Sequence, residues 1–156
     1  MLKKIKQYRY SILCTLIFLT ISSLSGMLVH DNMTTWYTHL YKPSFNPPSW
    51  VFAPIWTILY IFLGIICGTL LRNAQFYRTE IILFISQYIC NIIWTPLFFH
   101  YHRIDLALID ILLILIITAI FTFRIRKNIK LYALSLPYLM WISFAALLNF
   151  KIYLLN

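Results

Sequence analysis

Residues 36–71 read WYTHLYKPSFNPPSWVFAPIWTILYIFLGIICGTLL, and the change of character inside this stretch decides the fold. Its second part, 51–71, carries no charged side chain. At about 1.5 Å of rise per residue, a helix of about 20 apolar residues crosses the roughly 30 Å hydrocarbon core of a bilayer. Its first part does the opposite. Pro43, Pro47 and Pro48 lack backbone N–H donors and restrict the residue before them, so no continuous helix forms ahead of Val51. Pro54 falls in the first turn of the apolar helix, where the early N–H groups lack intrahelical partners anyway. Trp36, Tyr37, Tyr41, Phe45 and Trp50 make the proline-rich part a stiff aromatic lid. Such a segment loses little conformational freedom on closing over something flat and apolar, and its indole and phenol groups still want partners. That combination points to ligand recognition.

Outward from this stretch the same character recurs. The chain is 62% hydrophobic and 11% charged, with a mean hydropathy of +0.80, which are membrane-protein values. Weakly charged apolar runs occupy 10–29, 51–71, 81–99, 106–123 and 131–150. No period-two alternation supports a β-barrel. The expectation is an all-α membrane protein, a single domain over 1–156 built as a five-transmembrane-helix bundle, with 30–50 as its lid. The basic start, the apolar stretch and Ser22, Ser23, Ser25 and Gly26 imitate a secretory signal, but 10–29 is read as the first membrane helix, with those small residues for packing.

The net charge of +9 does not require an acidic partner or nucleic acid. Ten of the 13 basic residues fall on one side of the spans: Lys3, Lys4, Lys6 and Arg9, then Arg72 and Arg78, then Arg124, Arg126, Lys127 and Lys130. Only Lys42, Arg103 and Lys151 lie on the other. The positive-inside rule then places the N-terminus in the cytoplasm, and the C-terminus and the lid outside. Richness in Ile, Lys and Asn suggests a bacterial source, hence a multi-pass protein of the plasma membrane.

Trp56 and Tyr60 share a helix face at i and i+4, as do Gln87, Asn91 and Trp94 in the third run and Trp141, Ala145 and Asn149 in the fifth. Helix rise places Trp56 and Trp94 about 8 Å and Trp141 about 15 Å below the lid end, converging on one layer. A pocket for a large, flat, mostly apolar ligand has this pattern. Plainer readings stand beside it. Trp36, Tyr37 and Trp50 suit an interfacial belt, Trp94 and Trp141 suit core packing, and Asn91 and Asn149 suit interhelical hydrogen bonding. Asp110, near a helix start, reads as structural. Gly64 and Gly68 form G-x-x-x-G, equally consistent with packing within one chain and with dimerisation. Pro96 is expected to loosen the end of the third helix, and a short turn at 34–40 has Asp31, Asn32 or Thr34 available as a cap.

Cys14, Cys67 and Cys90 lack C-x-x-C spacing, which argues against a metal site or disulfide framework. His30, His39, His100 and His102 show no H-x-x-x-H pair, so no metal is expected. Three glycines in the whole chain leave no phosphate loop, and no Ser-His-Asp set or paired carboxylates occur.

The stretch from WYTHLYKPSFNPPSW to WTILYIFLG, followed by NIIWTPLFF, LALID and PYLMWISFAALLN, closely resembles the TspO/MBR family of tryptophan-rich sensory proteins. The resemblance implies a membrane protein, usually a homodimer, that needs no cofactor and binds porphyrins such as protoporphyrin IX. It also implies binding of synthetic benzodiazepine-type or isoquinoline carboxamide ligands under the first loop. Tyr37, Pro47, Trp56 and Tyr60 would line that cavity from one side. Asn91, Trp94, Trp141 and Ala145 would line it from the other. The implied role is a tetrapyrrole sensor or scavenger. In some bacterial members the tryptophans matching Trp56 and Trp141 are implicated in light- and oxygen-dependent porphyrin breakdown, which would make both catalytic; transport of tetrapyrroles is a third possibility. The mammalian cholesterol pattern is not matched, because Phe150 stands in place of its Tyr and nothing basic follows Lys151.

Overall fold

The computed structural model describes residues 2–156; the side chains of residues 2–7, Leu28 and Met33 lie outside the description, and with them the Lys3, Lys4 and Lys6 share of the basic excess. Among the described residues there are six α-helices and no strand: α1 Leu2–Thr34, α2 Trp36–His39, α3 Phe52–Arg72, α4 Arg78–Thr95, α5 Ile104–Arg124 and α6 Ile129–Leu155. All but α2 are long and apolar enough to cross a membrane, so the chain is a multi-pass integral membrane protein. The five long helices close into a ring. α1 lies along α3, α3 against α6, α6 against α5, α5 against α4, and α4 returns toward α3 and α1.

The core follows the helical periodicity. Leu63, Ile66 and Leu70 of α3 meet Phe84 of α4, Ile114 of α5 and Tyr138 and Ile142 of α6, all essentially inaccessible. On the outside Ile82, Ile85, Ile89, Ile109 and Ile116 stay exposed, as a surface facing lipid requires. The G-x-x-x-G motif is used within the chain. A Cβ on Gly64 would overlap the backbone of Thr15, and one on Gly68 that of Ser11, so α1 and α3 touch backbone to backbone there. The Ser11 hydroxyl reaches the Ile65 carbonyl at 3.5 Å across the same seam.

Helix ends depart from the apolar runs. α1 continues to Thr34 and α6 to Leu155, each past the apolar stretch that announces it. At α4 the α-helical pattern stops at Thr95, and Pro96 opens a π-helical turn through His100. The Tyr101 N–H donates to the Pro96 carbonyl at 2.9 Å, closing this wider turn. The expected turn before the lid exists as α2, but no cap from Asp31, Asn32 or Thr34 forms. α1 runs on through those residues, Thr35 takes the position ahead of α2, and its hydroxyl donates back to the Asp31 carbonyl at 2.6 Å.

Between Leu40 and Pro48 the lid is held by its own side chains. The Tyr37 hydroxyl donates to Asn46 Oδ1 at 3.0 Å, Asn46 Nδ2 donates to the Pro47 carbonyl at 3.0 Å, and the Lys42 ammonium lies 4.6 Å from the Tyr37 ring centre. Asn156 then ties the lid to the end of α6. Its side chain accepts from the Tyr41 N–H and donates to the Tyr41 carbonyl, both at 3.0 Å. Replacing Asn156 by alanine removes both bonds, which in this exposed position are worth about 1 kcal/mol together. The expected result is faster amide hydrogen exchange confined to the lid around Tyr41, with the melting temperature unchanged; exchange identical to the parent would show that the clamp does not hold the lid.

The far end of the bundle is polar. Arg124 Nε donates to Glu80 Oε1 at 2.9 Å, joining the end of α5 to the start of α4. Arg72, Arg78, Arg126, Lys127 and Lys130 lie on the same end, opposite the lid.

Candidate ligand-binding cavity

The face of α3 that meets α1 runs through Ala53, Thr57, Tyr60, Gly64 and Gly68. Its lower part is buried by α1, whereas Ala53 and Thr57 are exposed and line a cavity. α1 and α3 therefore separate toward the lid end. The space between them is bounded on α1 by Ser22, Ser25 and Gly26, and a Cβ on Gly26 would meet nothing within 4 Å. The cavity measures about 380 Å³, within the usual range of about 300–1,000 Å³ for small-molecule sites. Its lining is mostly apolar and aromatic.

Trp56 is at the centre of one wall. Its indole stacks on Tyr60 at 5.4 Å and 25° and meets Trp141 edge to face at 6.4 Å and 88°. Phe52 and Phe144 hold Trp141 from either side, at 5.9 and 5.5 Å between ring centres. The opposite wall carries Trp94, stacked on Phe98 at 5.1 Å and 18°. Each tryptophan is placed by the periodicity of its own helix and fixed by rings from its neighbours.

The polar groups of this layer divide into satisfied and unsatisfied. Tyr60 donates to Asn91 Oδ1 at 2.9 Å, Trp94 Nε1 donates to Asn149 Oδ1 at 3.0 Å, and Asn149 Nδ2 donates to the Ile104 carbonyl at 3.3 Å. Asn149 thus bridges α4, α5 and α6, and the interhelical role expected of both asparagines is present. Below them the Tyr138 hydroxyl donates to Gln87 Oε1 at 2.6 Å, both fully buried. The Trp141 indole N–H, by contrast, is buried without a partner in the cavity wall. A buried donor left unpaired costs about 1–3 kcal/mol, so an acceptor on a bound molecule would recover that cost. At the lid, burial pushes the Tyr37 phenol above its ordinary value while the Asn46 hydrogen bond draws it back, so Tyr37 remains a protonated donor.

Seven of the eight residues singled out from the sequence line this cavity: Tyr37, Trp56, Tyr60, Asn91 and Trp94, with Trp141 and Ala145. Pro47 is not among the lining residues; it is half-buried in the lid, where its carbonyl accepts from Asn46. The sequence pattern missed the contribution of α1. Ser22, Ser25, Gly26 and Val29 form part of the wall, and the signal was the cluster of small residues itself, read above as packing. Asp110 is not in the lining; it sits beside Cys90 at the seam of α4 and α5 with Oδ2 buried and unpartnered. His102 stacks on Trp36 at 4.2 Å and 14°, with φ of 55° in the left-handed region. No three His, Cys, Asp or Glu side chains cluster among the described residues.

Residues 13–155 match the model of the TspO/MBR family. The chain belongs to this family. It is 36% identical over 139 residues to the tryptophan-rich protein TspO of Archaeoglobus fulgidus, covering 88% of this chain and 91% of that one. It is 34% identical over 158 residues to the tryptophan-rich protein TspO of Chlorobaculum tepidum, covering 97% and 98%. The human translocator protein is 32% identical over 135 residues, covering 83% and 80%. As a TspO/MBR member this chain carries its aromatic cavity at the lid end of five membrane helices.

Proposed function

We propose that this TspO/MBR protein binds a porphyrin in the cavity under its lid and acts as a tetrapyrrole sensor or scavenger, with the lid end outside and the basic end in the cytoplasm. The observation that carries the reading is the Trp56–Trp141–Trp94 layer, three indoles from three helices around one apolar cavity. Large aromatic faces give a flat macrocycle area to stack on, and the unpaired Trp141 N–H offers a donor to a polar edge. The opening between α1 and α3 fits an amphiphile that partitions into the bilayer, and the basic end opposite the lid fits the positive-inside rule. The same cavity suits synthetic benzodiazepine-type or isoquinoline carboxamide ligands.

The test is a dark titration of the detergent-purified protein with protoporphyrin IX, followed by tryptophan fluorescence. Saturable quenching is expected. Trp141→Ala, which removes an indole from the wall, should weaken it by about tenfold or more. Absence of saturation would show that the aromatic layer is packing alone.

A second reading, light- and oxygen-dependent porphyrin breakdown, is favoured by the edge-to-face contact of two oxidisable indoles, Trp56 and Trp141, in the wall itself.

A further inference from the structure

The structure leaves one pair of reactive groups outside everything described so far. Cys14 of α1, buried, and Cys67 of α3, half-buried, are free thiols that approach one another. They lie in the seam where Gly64 and Gly68 let the two helix backbones touch, next in sequence to Thr15 and Gly68. A disulfide needs its two Cβ atoms about 3.5–4.5 Å apart, a separation that a seam this close can provide.

A line of oxidisable rings connects the cavity to this pair. Trp56 stacks on Tyr60 at 5.4 Å, and Tyr60 meets Tyr88 edge to face at 6.4 Å. Tyr88 packs on Phe18 at 4.2 Å and lies close to Cys67 as well as to Tyr60. Cys14 lies one turn below Phe18 on α1, and Cys67 two turns below Tyr60 on α3, each on the face that meets the other helix. Tyr88 itself lines the cavity, and its hydroxyl is buried with no hydrogen-bond partner. Among the described residues, Cys90, the third thiol, lies apart, beside Asp110 at the α4–α5 seam.

We propose that Cys14 and Cys67 form a redox-active dithiol, oxidised to a disulfide through Trp56, Tyr60 and Tyr88 when a porphyrin in the cavity is illuminated in the presence of dioxygen. The inference rests on the porphyrin reading above. The two S–H bonds break and one S–S bond forms. Two electrons leave one at a time along the rings to the photo-excited porphyrin, which passes them to dioxygen, and the two thiol protons follow. The net change is two thiols plus dioxygen to one disulfide plus hydrogen peroxide, with the porphyrin unchanged. Stepwise electron loss does not require a thiolate nucleophile, which an apolar seam disfavours. The product ties α1 to α3 directly below the cavity opening.

Protoporphyrin IX at a concentration that saturates tryptophan quenching is added to the purified protein in air, and the protein is divided between light and dark. The Cys14–Cys67 disulfide is then quantified by non-reducing peptide mapping. The expected result is a disulfide in light only, absent in Cys14→Ser, and reduced at least about fivefold in Tyr88→Phe at matched porphyrin occupancy. Phenylalanine keeps the ring against Phe18 but is far harder to oxidise. A parallel sample treated in the dark with copper–phenanthroline and no porphyrin should form the same disulfide. Failure to cross-link there overturns the pairing. A chemical cross-link without a light-driven one overturns the relay, as does an undiminished yield in Tyr88→Phe, which would mean direct oxidation by diffusing oxygen species. Absence of saturable quenching removes the porphyrin reading and this inference together. Saturable quenching with no disulfide in light removes the inference alone.

Discussion

Replacing Gly64 by leucine is expected to abolish the assembled bundle or lower its stability by roughly 3 kcal/mol, the upper range for overpacking a tight interface. The side chain would have to occupy space already filled by Thr15, and the nearest atoms include backbone, which cannot rotate away. Gly64→Ala should already destabilise, because even a methyl group overlaps. Gly68→Leu should behave likewise through Ser11. Gly26→Leu is the internal control. Gly26 lies on the same helix as Thr15 but faces open space, so leucine there should leave the melting temperature within a degree or two while filling part of the cavity. Thermal unfolding of the four variants in detergent, read by size-exclusion chromatography after heating, checks the ordering. Equal stability of Gly64→Leu and the parent would mean that α1 and α3 do not pack through this seam, and would return the motif to contacts between copies.

This seam also illustrates what the sequence can and cannot carry. G-x-x-x-G announces a close approach, but small residues face small residues in either arrangement, so the partner helix was legible only from Ser11 and Thr15 in space. The five spans were legible because burial in lipid demands long uncharged runs, whatever the tertiary contacts. Their ends were not. α1 extends through the polar His30, Asp31, Asn32 and Thr34, and α6 runs past Phe150 and Lys151 to the Asn156 clamp, so neither end is marked by where the apolar run stops. At the site, helical spacing brought Trp56, Tyr60, Asn91, Trp94, Trp141 and Ala145 to one cavity, since each helix face is fixed by its own core residues. The lid has no such period. Pro47, placed in the cavity by resemblance, faces its own loop, where the Asn46 side chain holds it. The Ser22–Gly26 cluster reads as packing along α1 and becomes a wall only because α3 diverges from it.

The Trp56→Phe and Trp141→Phe variants separate binding from chemistry most sharply. Phenylalanine preserves most of the stacking area that a macrocycle would use, so dark affinity for protoporphyrin IX should change by no more than about threefold in Trp56→Phe, and fall by about fivefold or more in Trp141→Phe, which also loses the N–H donor to the ligand's polar edge. The fold should survive as well. The Trp141 N–H has no partner to orphan, so its removal strands no buried acceptor and relieves the cost of an unpaired donor. A benzene ring, however, gives up an electron far less readily than an indole. If the cavity degrades porphyrin in light, loss of its absorbance in air should slow by about tenfold or more in either variant. The two indoles touch at 6.4 Å and so act as one oxidisable unit, which predicts that the double variant is little worse than either single one. Additive losses would assign each indole a separate task. Unchanged absorbance loss would remove both from the chemistry and leave them as the stacking surface of a protein that holds its ligand without altering it.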